Sequence, residues 1–108
     1  MQVETGWPSA VISKLIRKVS AVANNRAVQE FYIGRTSDPQ QCVGRHGCHV
    51  IDAIYYTDSI DNAIEVETAL IQSFYYHPKC SNDAPDGRGS YSQDYGQFVY
   101  VARWFDLN

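Results

Sequence analysis

Long apolar runs are missing from this chain: nowhere do roughly 18 apolar residues follow one another, so no membrane-spanning helix is expected. The N-terminus lacks a basic patch followed by a long apolar stretch, so no secretory signal is expected either. An excess of positive charge is also absent. Twelve Asp and Glu stand against nine Lys and Arg. That excludes a wide electrostatic footprint for nucleic acid but leaves room for a small basic cleft. Cysteine is scarce and odd in number, at three. Without a signal, this points to reduced thiols in a cytoplasmic compartment. No internal repeat or low-complexity tract is visible, and 108 residues suit a single domain with one core.

What is present is a clear alternation of periods. Pro8 and Ser9 open a first helix over about 8–23, with Val11, Ile12, Leu15, Ile16, Val19 and Val22 as its apolar stripe. Lys14, Arg17 and Lys18 fall elsewhere on it and read as a wet surface. Asn24-Asn25 ends it, making 1–26 an N-terminal helical extension. Residues 27–34 read as a strand stopped by Gly34. Asp38 and Pro39 begin a short helix as N-cap and first helical residue, and Gly47 stops it. Residues 49–56 form a second strand, rich in β-branched and aromatic residues. A long helix follows over 58–76. Turn formers crowd 81–96, which reads as a long loop, and 97–104 as a last strand. The order α-β-α-β-α-loop-β predicts an α/β (α+β) fold, a small antiparallel or mixed three-stranded sheet flanked by helices.

One side chain in the long helix breaks the pattern. Ile60, Ala63, Ile64, Leu70, Ile71 and Phe74 form an apolar stripe, and at about 100° per residue Glu67 projects from its middle. Glu65 points away. A buried, unpaired carboxylate is expensive, so Glu67 needs a partner. A metal ion, backbone donors, or a salt bridge to Arg35, Arg45 or Lys79 would each serve.

The elements around Glu67 line up in a recognisable order. Tyr32-Ile33-Gly34 ends a strand in the sequence YIG-x-T-x-D-P. A short helix then carries Cys42, Arg45 and His46. A strand comes next, then the Glu67-x-x-Leu70-Ile71 helix, and finally Pro78 and Asn82. From about Phe31 to Asn82 this resembles the GIY-YIG nuclease superfamily. The resemblance implies cleavage of DNA phosphodiester bonds with one magnesium or manganese ion. Tyr32 would bond at the scissile phosphate or its attacking water, His46 would lie near the phosphate, Glu67 would hold the metal, and Asn82 would support the site. One Glu with waters and a phosphate oxygen is an ordinary magnesium shell.

Two departures stand out. The position of the family's catalytic Arg, counted from Tyr32, is Cys42, and a thiol does not offer the guanidinium fork that grips a phosphate. Arg45, one turn on, and Arg35, directly after the motif, are the candidate substitutes. The GIY half is absent from its usual place, one hairpin before YIG. The strand Phe98-Val99-Tyr100-Val101 has its look, which suggests a permuted layout with the last strand antiparallel to 29–34 and Tyr100 supplying the second tyrosine.

The first expectation is therefore a metal-dependent endonuclease using Tyr32, Arg45, His46, Glu67 and Tyr100, with Arg35, Cys42, Asn82 and Arg88 on the substrate side. Arg88, Tyr91 and Tyr95 in the loop suit nucleic-acid contact by charge and stacking, or a solvated loop. The alternative is a catalytically impaired nuclease scaffold serving as a nucleic-acid- or protein-binding regulatory module. Target choice would then come from a homodimer or a protein partner. A zinc site drawn from Cys42, Cys48, Cys80, His46, His49 and His77 is disfavoured, because the C-x3-H-x-C-H spacing is unlike the usual C-x2-C pairs.

Overall fold

A computed structural model describes residues 2–40, 44, 47–83 and 97–105. Helix α1 spans Pro8–Ala23. Its start is set by Pro8 at the first helical position, where the missing N–H costs nothing. Val11, Leu15, Val19 and Val22 recur every three or four residues and are buried. At its C-terminal end the Asn24 N–H donates to the Ser20 carbonyl at 2.9 Å.

Three strands follow: β1 (Val28–Thr36), β2 (Val50–Thr57) and, last in the chain, β3 (Gln97–Phe105). The sheet order is β1-β3-β2, antiparallel throughout. The last strand thus pairs antiparallel with 29–34, as expected, and it occupies the centre. The register sets Gly34 opposite Tyr100, Ile33 opposite Val101 and Tyr32 opposite Ala102. Because side chains alternate along a strand, Phe31, Ile33, Val99 and Val101 enter the main core with the helices. Tyr100 and Ala102 pack on the opposite face with Cys48, Tyr32, Ile51 and Trp104.

Helix α2 (Ile60–Phe74) is capped by Ser59, whose side chain accepts from the Asn62 N–H at 3.2 Å, and Asp61 in its first turn suits the helix dipole. Ala63, Val66, Leu70, Ile71 and Phe74 are buried with α1 and the sheet. Among the described residues the fold is α+β: two helices against a three-stranded antiparallel sheet, with no helix long and apolar enough to cross a membrane.

Both outer strands have their free edges covered. On β1, the Phe31 N–H donates to the Lys79 carbonyl and the Ser81 N–H to the Phe31 carbonyl, each at 2.9 Å. On β2, Glu4 is the cover: its N–H donates to the Ile54 carbonyl at 2.8 Å, and its carbonyl accepts from the Tyr56 N–H at 2.9 Å. The sequence had suggested no structure before α1.

Of the short helix expected after Asp38, the start is described: the Asp38 carboxylate accepts from the Gln40 N–H at 3.1 Å, with Pro39 between them. The rest of that helix, with Cys42, Arg45 and His46, lies outside the described residues, as do Arg88, Tyr91 and Tyr95 of the long loop.

Candidate functional site

The candidate site gathers at one end of β1. Glu67 is 1% exposed, as its place in the apolar stripe required. Its partner is Arg35, also buried: the guanidinium Nε donates to Glu67 Oε1 at 3.2 Å. This is one of the three salt bridges that the sequence left open. Arg35 also reaches Gln97 Oε1, at 3.5 Å. Gln97 is fully buried at the start of β3. The two charges sit where water is excluded, so each requires the other.

Gln97 had not been singled out. A signal for it existed, since it shares the period-two face of Val99 and Val101. A polar residue on an apolar strand face asks for a buried polar partner, as Glu67 does on its helix.

Two tyrosines meet on the opposite face of the sheet. The Tyr32 and Tyr100 ring centroids are 6.4 Å apart, tilted by 34°. The tip of the Tyr100 ring crosses β1 directly over Gly34. A Cβ at Gly34 would lie 2.4 Å from both the Tyr100 Cζ and hydroxyl oxygen. Only glycine leaves room for that crossing. Arg35 is the next residue along, so the tyrosine hydroxyl and the Arg35–Glu67 pair are neighbours at the same end of β1, on opposite faces.

Asn82 joins them through the backbone. Its Oδ1 accepts from the Ile33 N–H at 3.0 Å, and its Nδ2 donates to the Ile33 carbonyl at 2.8 Å. The side chain thus imitates a neighbouring strand and fixes the backbone between Tyr32 and Gly34. The Cys80 thiol also donates to Asn82 Oδ1, at 3.4 Å, and burial pushes this thiol above its ordinary pKa. The geometry and the direction of this shift both suit Cys80 as a hydrogen-bond donor to Asn82.

Of the residues behind the zinc alternative, Cys42 and His46 lie outside the described residues, and both described histidines accept a backbone hydrogen bond. The His49 Nδ1 accepts from the Phe105 N–H at 2.9 Å, and the His77 Nδ1 from the Lys79 N–H at 3.1 Å. Neither Cys48 nor Cys80 is in a disulfide. Among the described residues no group of three or more His, Cys, Asp or Glu is arranged to hold a metal ion.

Tyr32, Arg35, Glu67, Asn82 and Tyr100 are thus brought to one end of β1, in two groups separated by the sheet. No known family model, curated protein or solved structure matches the chain.

Proposed function

We propose that the chain is a permuted GIY-YIG-like nuclease domain that hydrolyses DNA phosphodiester bonds in the cytoplasm. The observation that carries this reading is the pairing of Gly34 with Tyr100, which sets the tyrosine of the last strand beside Tyr32. A permuted chain needs this juxtaposition to recover its second tyrosine.

In this reading Tyr32 and Tyr100 orient the attacking water and assist its deprotonation. Arg45 and His46 contact the phosphate, and Asn82 holds the backbone that carries Tyr32. Glu67, on the other sheet face and already paired with Arg35, would be the residue to hold a single magnesium or manganese ion, which would supply stabilisation of the developing charge. Carboxylates that bind metals are themselves hydrogen-bonded, and Arg35 is placed to orient Glu67 in that way.

A second reading has its own support. The Arg35–Glu67 pair already neutralises the carboxylate, and a guanidinium beside it opposes a dication. On that basis the chain is a nuclease scaffold without catalysis, binding nucleic acid or a protein.

The deciding experiment incubates the pure protein with labelled supercoiled and branched DNA, in magnesium, manganese or chelator. Metal-dependent nicking that disappears in Glu67→Gln supports the enzyme. Retention of DNA without cleavage in every metal refutes it and favours the scaffold. The Cys42→Arg variant adds a second measure. About a 10²–10³-fold gain in nicking is expected if the site lacks only one charge contact, by analogy with the loss of a single oxyanion donor.

A further inference from the structure

A cavity of about 490 Å³ lies away from these residues, between the N-terminal segment and the start of α2. Trp7 and Tyr56 contribute its aromatic surface, and Thr57, Asp58 and Asn62 its polar one. The volume falls within the range of small-ligand pockets. Trp7 is 73% exposed and Tyr56 37%.

The backbone that carries Trp7 and the ring of Tyr56 both have defined surroundings. Trp7 precedes a proline and sits in extended backbone, at φ −67° and ψ 142°, as the following ring requires. Gly6 is pinned by the Tyr55 hydroxyl, which donates to its carbonyl at 2.6 Å. Tyr56 is backed by Phe98, with ring centroids 4.9 Å apart.

Charge selects the occupant. No Lys or Arg lines the cavity, while Asp58 does. Asp61 stands in the first turn of α2. On the N-terminal segment, Lys14 and Lys18 share the Glu4 carboxylate. The α2 dipole returns about half a positive charge at this end, less than the Asp58 carboxylate supplies. Phosphates and carboxylates are repelled from such a site, and organic cations are drawn in.

We propose that this cavity binds the guanidinium of an arginine side chain on a partner polypeptide, stacked against Trp7 and Tyr56 and bonded to Asp58. A guanidinium is planar, stacks on aromatic faces and presents a donor fork matched to a carboxylate. This inference is independent of the nuclease reading.

The test is a ¹⁵N NMR titration of the full chain with N-acetyl-arginine amide. The two tryptophans give separate indole N–H signals, assigned with Trp7→Phe. The Trp7 signal is expected to move saturably while that of Trp104 stays, with a dissociation constant on the order of 1 mM, the range of a single side chain. Asp58→Asn, at an exposed position, should weaken binding about two- to fivefold, as for one exposed ion pair. N-acetyl-lysine amide should bind more weakly than the arginine compound. The proposal is overturned if the Trp7 signal does not saturate, if Asp58→Asn binds as tightly, or if lysine amide binds at least as tightly. A response to adenosine without one to arginine amide also overturns it, and makes the cavity a base-stacking site.

Discussion

Gly34→Ala is the sharpest perturbation of the candidate site, because one methyl group meets the Tyr100 ring. The added Cβ would lie 2.4 Å from the ring Cζ, 2.4 Å from the hydroxyl oxygen and 2.9 Å from Cε2. Favourable carbon contacts begin near about 3.5 Å, so the ring has to move. Backbone strain plays no part, since the positive-φ glycines are Gly6 and Gly47. Without the ring, alanine in a strand would be favoured over glycine by about 0.5–1 kcal/mol. The sign therefore depends on what moving Tyr100 costs.

Tyr100 is 3% exposed and packed against Tyr32, Cys48 and Ala102. Shifting a packed ring by an ångström or more is overpacking, which costs about 1–3 kcal/mol. Net of the strand preference, a loss of up to about 2.5 kcal/mol is expected, and each kcal/mol lowers the Tm by about 4–8 °C in a domain of this size. The measurement is urea denaturation of Gly34→Ala in two backgrounds, wild type and Tyr100→Ala. In the second the ring is gone, and the methyl should be neutral or stabilising. An equal loss in both backgrounds would refute the crossing of the ring over Gly34. If DNA is cleaved, Gly34→Ala should also reduce nicking below what its folded fraction explains, because it displaces the Tyr100 hydroxyl.

The other predictions concern the groups that hold this end of β1. Arg35→Met should destabilise by about 3–5 kcal/mol by stranding the buried Glu67 charge, and Arg35→Met with Glu67→Leu should recover most of that loss in the same denaturation assay. Asn82→Ala should cost about 1–3 kcal/mol and lower hydrogen-exchange protection at the Ile33 amide, whose acceptor it removes. Tyr55 is fully buried, and that burial, with the Glu65 charge, raises its phenol above the ordinary value near 10 despite an opposing hydrogen bond from Thr57. A raised folded pKa means that the stability is intact below pH ~10 and falls as pH climbs through the folded value. Absorbance at the phenolate band should therefore show one late-titrating tyrosine that coincides with alkaline unfolding, and Tyr55→Phe should remove that component.

Much of this fold was legible in the sequence because its periods are clean. The α1 stripe, the cap and stripe of α2, and the alternation of β3 each follow from one spacing rule. Glu67 was legible for the same reason: a carboxylate at the centre of a helical stripe is buried wherever the stripe is. Its partner was not. Arg35, Arg45 and Lys79 were equal in sequence, and what separates them is that Arg35 shares the sheet face of Ile33 and Val99. That face is a property of the register, which local spacing does not contain. Glu4 escaped notice for a related reason. Two backbone bonds to β2 make it a strand-like cover, and backbone bonds leave no trace in side-chain pattern. The cavity inherits that blindness, since Trp7 and Asp58 are far apart in sequence and meet because Glu4 is docked on the β2 edge.

The sheet order ties folding to the site more tightly than a hairpin would. β1 and β2 make no pairing with each other, and each depends on β3, the last strand in the chain. Gly34 and Tyr100 meet only after a long loop has closed, at an entropic cost that grows slowly with its length. A local YIG hairpin would place its tyrosines together before the rest of the domain formed. Here the buried Arg35–Gln97 contact and the crossing of Tyr100 over Gly34 both depend on the central β1–β3 pairing. The tyrosine pair and the neutralised carboxylate are therefore products of the complete fold, and a lesion in β3 reaches both faces of the candidate site at once.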